Sequence, residues 1–265
     1  MFKDITLGQY FPGNSPVHRL DPRTKLLLMI AYLVAVFLVK DMWLFVPVAA
    51  FAVGATLLSR VPLSYLWRSL KPLKWILVFM FVLNLLMIRT GAPLWDWWVI
   101  HITTGGVWQA CFIALRLVLL VAGTSLMTLT TTPIALTDGL ERLLLPFSAL
   151  KFPAHELAMM MTIALRFIPT LLEEADKIMK AQLARGADLE SGNILQRSKA
   201  MVPILVPLFV SAFRRADELA MAMESRCYRG GEGRTRLHVL KTGRKDWLAV
   251  ASMAVLYAVV LLMAR

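Results

Sequence analysis

Two arginines stand out by what flanks them. Arg185 lies in Ala184-Arg185-Gly186, and Arg226 lies in Ser225-Arg226-Cys227. A guanidinium is permanently charged and offers a planar fork of donors, so it can pair a carboxylate through two parallel hydrogen bonds. Small neighbours clear space for it to enter a groove. The two arginines are 41 residues apart, and each closes a long stretch of helical periodicity. One such tripeptide has an ordinary explanation, because Arg complements the dipole at a helix C-terminus and Gly is a common cap. Two of them, ending two similar helices, point to docking on an acidic groove of a partner. The second tripeptide carries Cys where the first has Gly. Cys tolerates positive φ poorly, so the backbone of the second tip is expected to differ from that of the first.

Other chemistries are excluded by what is missing. No Gly-x-x-x-x-Gly-Lys-Ser/Thr loop is present, and no Lys directly follows a Gly. ATP therefore has no P-loop on this chain. His18, His101, His155 and His238 are dispersed without metal-ligand spacing. No apolar run carries a pair of carboxylates for proton relay, or a nucleophile paired with a base. The residues imply no enzyme, no cofactor and no metal. Arg116 interrupts an apolar run, where a charge is a functional group, is paired with a backbone carbonyl, or lies nearer an interface.

The frame that must position these residues is a membrane one. The chain has 265 residues, 58% of them hydrophobic and 17% charged, with a mean hydropathy of +0.64. Soluble domains are nearer half apolar. Net charge is +12, from 29 Lys and Arg against 17 Asp and Glu. No nucleic-acid motif accompanies it. In a membrane protein such an excess marks the cytoplasmic side. Cys111 falls in an apolar run and Cys227 in a basic one, so no disulfide is expected. The first twenty-odd residues contain Gly, Pro, Asn and His and do not read as a signal peptide.

Five apolar runs read as spans: Leu26–Val39, Met42–Leu58, Trp75–Ile88, about Val107–Leu129, and Leu248–Ala264. Lys and Arg collect before the first run and between the second and third, whereas Lys40-Asp41 and the Trp-rich loop 89–104 are balanced. The positive-inside rule then puts the N-terminus inside the cell and the Trp loop outside. The expected organisation is a membrane region over 1–131, a cytoplasmic domain over 132–246 and a last transmembrane helix over 247–265. Within 132–246, Thr132-Pro133 starts a helix that ends near Pro146. A second helix is predicted from about His155 to Ala184 and a third from about Gln196 to Arg226. Each has an apolar first half and a charged second half, with Pro169, Pro203 and Pro207 predicting kinks. The alternative, 157–172 as a sixth span, would require burial of Glu156 and Arg166. The fold class is an all-α integral membrane protein with long amphipathic helices.

Several segments carry a family resemblance. Gly8-Gln9-Tyr10-Phe11-Pro12-Gly13-Asn14-Ser15, His18 and Leu20-Asp21-Pro22-Arg23-Thr24-Lys25-Leu26 open the chain, and Ala164-Leu165-Arg166-Phe167-Ile168-Pro169-Thr170 lies further on. With Ala222-Met223-Glu224-Ser225-Arg226 and the two Arg tripeptides, they make the chain resemble the transmembrane T component of energy-coupling factor vitamin transporters over nearly its whole length. That resemblance implies a multi-pass subunit of the bacterial cell membrane. It implies two cytoplasmic ABC-type ATPases as partners, docked by Ala184-Arg185-Gly186 and Ser225-Arg226-Cys227. It also implies a substrate-binding membrane subunit, interchangeable between solutes. Methionine suits a surface that must accept several partners, and Met159, Met160, Met161 and Met201 are the candidate contact with that subunit. The rival reading is a stand-alone secondary transporter or channel, which would need internal repeats or midplane polar groups.

Overall fold

Asp21 begins the helical order. Its carboxylate accepts a hydrogen bond from the Arg23 N–H at 3.0 Å, and Pro22 supplies the fixed φ of a first helical residue. The computed structural model describes residues 10–88, 90–97, 100–146, 153–187, 193–230 and 241–263. In chain order the helices are α1 (Pro22–Leu38), α2 (Phe45–Ser59), α3 (Leu63–Leu70), α4 (Lys74–Met87), α5 (Thr104–Thr130), α6 (Pro133–Leu144), α7 (Ala154–Ala184), α8 (Ile194–Ser225) and α9 (Arg244–Met263). Single 3₁₀ turns, Met42–Leu44 and Lys71–Leu73, lead into α2 and α4.

Five helical segments among the described residues are long and apolar enough to cross a membrane: Met42–Ser59, Leu63–Met87, Thr104–Thr130, Ala154–Ala184 and Arg244–Met263. The protein is an all-α, multi-pass membrane protein. Its large outward-facing side chains agree with this, among them Phe79, Leu262, Trp43, Trp75 and Trp247. The last three stand near helix starts, where Trp favours the membrane–water interface. Three stretches differ from the sequence expectation. The third run, expected over Trp75–Ile88, is part of the longer segment Leu63–Met87. The first run becomes α1, whose 17 residues span about 25 Å, slightly short of a bilayer core. The stretch read as the apolar half of a cytoplasmic helix lies in α7, whose 31 residues qualify by length and composition.

The Trp-rich loop holds a feature that the sequence reading missed. Pro93–Trp97 and Ile100–Thr103 pair as antiparallel strands β1 and β2, with Trp95 opposite Ile102 and Trp97 opposite Ile100. Aromatic and β-branched residues at alternate positions favour such a pleat. The predicted Trp98 falls outside the described residues, as do Gly8, Gln9, Arg89, Asp188, His238 and Arg265.

By internal contacts the chain divides into two compact units, one of Gly8–Leu140 with Val239–Arg265 and one centred on Glu141–His238. In the first, α1, α2, α5 and α9 share a core of Val36, Val39, Phe45, Val48, Phe112 and Leu256. Buried polar groups tie this unit together. Asp246, at the start of α9, accepts from the Asp21 N–H at 2.8 Å and from the Gly243 N–H at 2.7 Å. The Lys25 ammonium donates to the carbonyls of His18 and Thr130 and to Thr131 Oγ1. Arg116 on α5 donates to the Val39 carbonyl at 2.5 Å and lies over the Phe112 ring at 4.6 Å. Val39 is the C-cap of α1. A cation there satisfies a carbonyl left over at a helix end and complements its dipole. Of the readings open for Arg116, the structure shows the carbonyl partner.

Candidate functional site

The predicted Arg-tipped helices exist with nearly the expected ends. α6 is capped by Thr132, whose hydroxyl accepts from the Ala135 N–H at 3.2 Å. α7 and α8 run unbroken through Pro169, Pro203 and Pro207. At the tip of α7 the Gly186 N–H donates to the Leu183 carbonyl, and the Ala187 N–H reaches back to Gln182 at 3.0 Å. At the tip of α8 the Cys227 N–H donates to Glu224, and the Tyr228 N–H reaches back to Met223 at 3.0 Å. These are two copies of one Schellman cap. Gly186 adopts φ +85° and Cys227 φ +55°, both left-handed. The expectation of a different second tip is therefore corrected. The returning six-to-one hydrogen bond sets the turn, and Cys227 accepts an unfavourable backbone to complete it. Arg185 and Arg226 are each the last residue before the left-handed turn. Both side chains are exposed, and among the described residues neither takes part in an ion pair.

Contacts between α7 and α8 fix how the two tips are disposed. Glu174 on α7 accepts from Arg215 on α8 at 2.7 Å and also takes a short hydrogen bond from the Ser211 hydroxyl. Eight residues later, the Gln182 side chain donates to the Pro203 carbonyl at 3.3 Å. Rising numbers on one helix meet falling numbers on the other, so the pair is antiparallel. The Arg185 tip therefore lies beside the α8 segment near residue 201, and the Arg226 tip lies at the far end. At 1.5 Å per residue the two tips are about 35–40 Å apart.

The second contact has a cause in the sequence. Pro203 O would normally accept the N–H of residue 207. That residue is Pro207, which has none. Gln182 supplies the missing donor from the last turn of α7. Neither Gln182 nor the Glu174–Arg215 pair was singled out by sequence. The signal for Gln182 was present, since a proline frees the carbonyl four residues before it.

The same register separates the methionines. Met159, Met160 and Met161 lie toward the Arg226 end of the pair and Met201 toward the Arg185 end. Met160, Met161 and Met201 are roughly half exposed. Between these ends α8 shows an apolar stripe absent from the sequence reading: Val202, Val206, Phe209 and Phe213, each more than half exposed. The i, i+4, i+7, i+11 spacing that puts them on one face is also that of a core-facing stripe, which is why sequence alone did not set it apart.

Comparison with known proteins adds an independent line. The family model described as cobalt transport protein, CbiQ, matches residues 13–237. Three relatives bear the name energy-coupling factor transporter transmembrane protein EcfT. That of Thermosediminibacter oceani is 56% identical over 254 residues, 96% of each chain. That of Clostridium kluyveri is 54% identical over 265 residues, 99% of this chain and 97% of the relative. That of Bacillus subtilis is 51% identical over 258 residues, 97% of each chain.

Proposed function

The chain belongs to the CbiQ/EcfT family of transporter transmembrane proteins, and from that membership we propose that it is the non-catalytic coupling subunit of an ATP-driven importer of the energy-coupling factor type. Two cytoplasmic ABC-type ATPases are its partners on one side. A small membrane subunit that captures a vitamin or related micronutrient is its partner on the other. The N-terminus and the residues of 132–246 that carry the Arg tips lie on the cytoplasmic side, with α7 lying along the membrane rather than crossing it, since its antiparallel pairing with α8 would otherwise put the two tips on opposite sides.

The observation that carries this reading is the pair of identical caps at opposite ends of an antiparallel helix pair. Tips about 35–40 Å apart cannot enter one groove, so each takes its own ATPase. Arg185 docks one and Arg226 the other, each meeting carboxylates. When ATP draws the ATPases together, the tips follow. Because Glu174–Arg215 and Gln182–Pro203 link α7 to α8, displacement at either tip passes to both helices. The exposed α8 stripe and Met159, Met160, Met161 and Met201 then press on the substrate-binding subunit and reorient it. Methionine at that surface suits exchange between several such subunits.

Reconstitution tests the reading. Liposomes holding this chain with both ATPases and a loaded substrate subunit should accumulate solute only with ATP. Solute movement by this chain alone, without ATP, would show a stand-alone transporter instead.

A further inference from the structure

The four helices α1, α2, α5 and α9 are closely packed at one end and part at the other. The packed end holds Val39, Phe45, Val48 and Val260. At the other end lies a cavity of about 480 Å³, framed by all four helices and the segment before α1. Small residues make the room: Gly54 and Ala55 on α2, Ala122 and Gly123 on α5, and Ala249 on α9. A Cβ at Gly54 would meet no atom within 4 Å. At Gly123 a Cβ would collide with the Tyr32 ring, which closes the deep end, its hydroxyl held by the Leu119 carbonyl at 3.0 Å. From Lys25 to Tyr32 on α1, and from Lys245 to Met253 on α9, the cavity runs about 10–12 Å along the bundle.

Its walls are almost wholly apolar, and its charges sit at one end. They are Lys25 and Lys245. Lys25 is saturated by its three oxygen acceptors. The nearby Asp246 carboxylate is buried and engaged by the N–H groups of Asp21 and Gly243. Lys245 is different. It is exposed, and among the described residues it has no hydrogen-bond or ion-pair partner. The site is thus an apolar slot with one uncommitted cation at its mouth.

That combination selects its occupant. Water gains little in an apolar slot. A partner helix is 10–12 Å across with its side chains, as wide as the cavity is long. An acyl chain fits the apolar depth, and an anionic headgroup complements Lys245. We propose that this cavity binds one acyl chain of an anionic phospholipid from the surrounding bilayer, with the headgroup held by Lys245. The bound lipid fills the parted end of the bundle and ties α9 to α1, α2 and α5 on the side where Asp246 holds the start of α1.

The test uses the full-length chain in detergent, offered palmitoyl-oleoyl phosphatidylglycerol or palmitoyl-oleoyl phosphatidylcholine, with retained lipid counted by native mass spectrometry. The unaltered chain should keep one phosphatidylglycerol in preference to phosphatidylcholine. Gly54→Leu fills the slot and should abolish retention with helicity unchanged. Ala249→Leu, from the α9 wall, should do the same and serves if Gly54→Leu misfolds. Lys245→Gln should reduce the preference about five-fold, the factor expected of one lysine beside an anionic lipid surface. Equal retention of the two lipids by the unaltered chain would overturn the proposal. So would undiminished phosphatidylglycerol binding by the leucine variants, or a preference unchanged in Lys245→Gln.

Discussion

Gly186 and Cys227 hold the same place in two different helices: each is the left-handed residue that closes a Schellman cap directly after an exposed arginine, at φ +85° and +55°. The sequences around them differ, yet the hydrogen bonds are the same. The position of each arginine is therefore set by backbone geometry rather than by the identity of its neighbours.

That equivalence predicts opposite outcomes for two exchanges. Gly186→Ala should cost about 1 kcal/mol at the α7 tip, because a Cβ is disfavoured in left-handed backbone. Cys227→Gly should stabilise the α8 tip by about 1 kcal/mol for the same reason. Hydrogen exchange at the Ala187 and Tyr228 amides, which make the returning bonds, reads each cap directly. Faster exchange at Tyr228 in Cys227→Gly would show that cysteine is not strained there.

Arg116 should behave as a structural cation. Arg116→Leu removes the donor to the Val39 carbonyl and should lower stability by about 1.5–3 kcal/mol, the range for a hydrogen bond to a charged group. Thermal unfolding in detergent measures it, and ATPase docking should be retained. A loss of solute uptake with unchanged melting would instead make Arg116 part of a transport path.

Each of the two links between α7 and α8 should stabilise the helix pair. Glu174→Gln and Arg215→Met should each destabilise the pair, with a coupling of about 1 kcal/mol in a double-mutant cycle, modest because both side chains are partly exposed. Gln182→Met should cost about 0.5–1 kcal/mol. In a Pro207→Ala background that cost should vanish, since residue 207 then supplies its own N–H to Pro203. A full cost for Gln182→Met in that background would show that Gln182 acts otherwise.

Much of this was legible in the sequence, and the remainder was not for identifiable reasons. Apolar periodicity gave the ends of α7 and α8 to within two residues, and the Thr132 cap gave the start of α6, since local propensity decides such ends. The two Arg tips were visible as composition. Their opposed placement was not, because it depends on Glu174 meeting Arg215, 41 residues away. Cys227 misled, since intrinsic φ preference is outweighed where a cap completes two hydrogen bonds. The acceptor of Arg116 lies 77 residues away across the bundle, and no spacing rule reaches that far. The β1–β2 ribbon was hidden because the Trp-rich loop was read only for its charge balance.

The methionine surface calls for a comparison of partners. Replacing Met159, Met160, Met161 and Met201 with Leu preserves apolarity and removes flexibility. Assembly with two different substrate subunits should then fall unequally, measured by co-purification. Equal loss, or no loss, with both would remove methionine from the contact.

Under the proposal that each arginine tip docks its own ATPase, co-purification of the two ATPases with tip variants is decisive. Arg185→Ala and Arg226→Ala should each weaken docking by roughly 2–5 kcal/mol, the cost of breaking a buried charge pair. The double variant, still folded and in the membrane, should retain neither ATPase and should support no ATP-driven uptake. Full recovery of both ATPases with the double variant, together with normal uptake, would contradict the account.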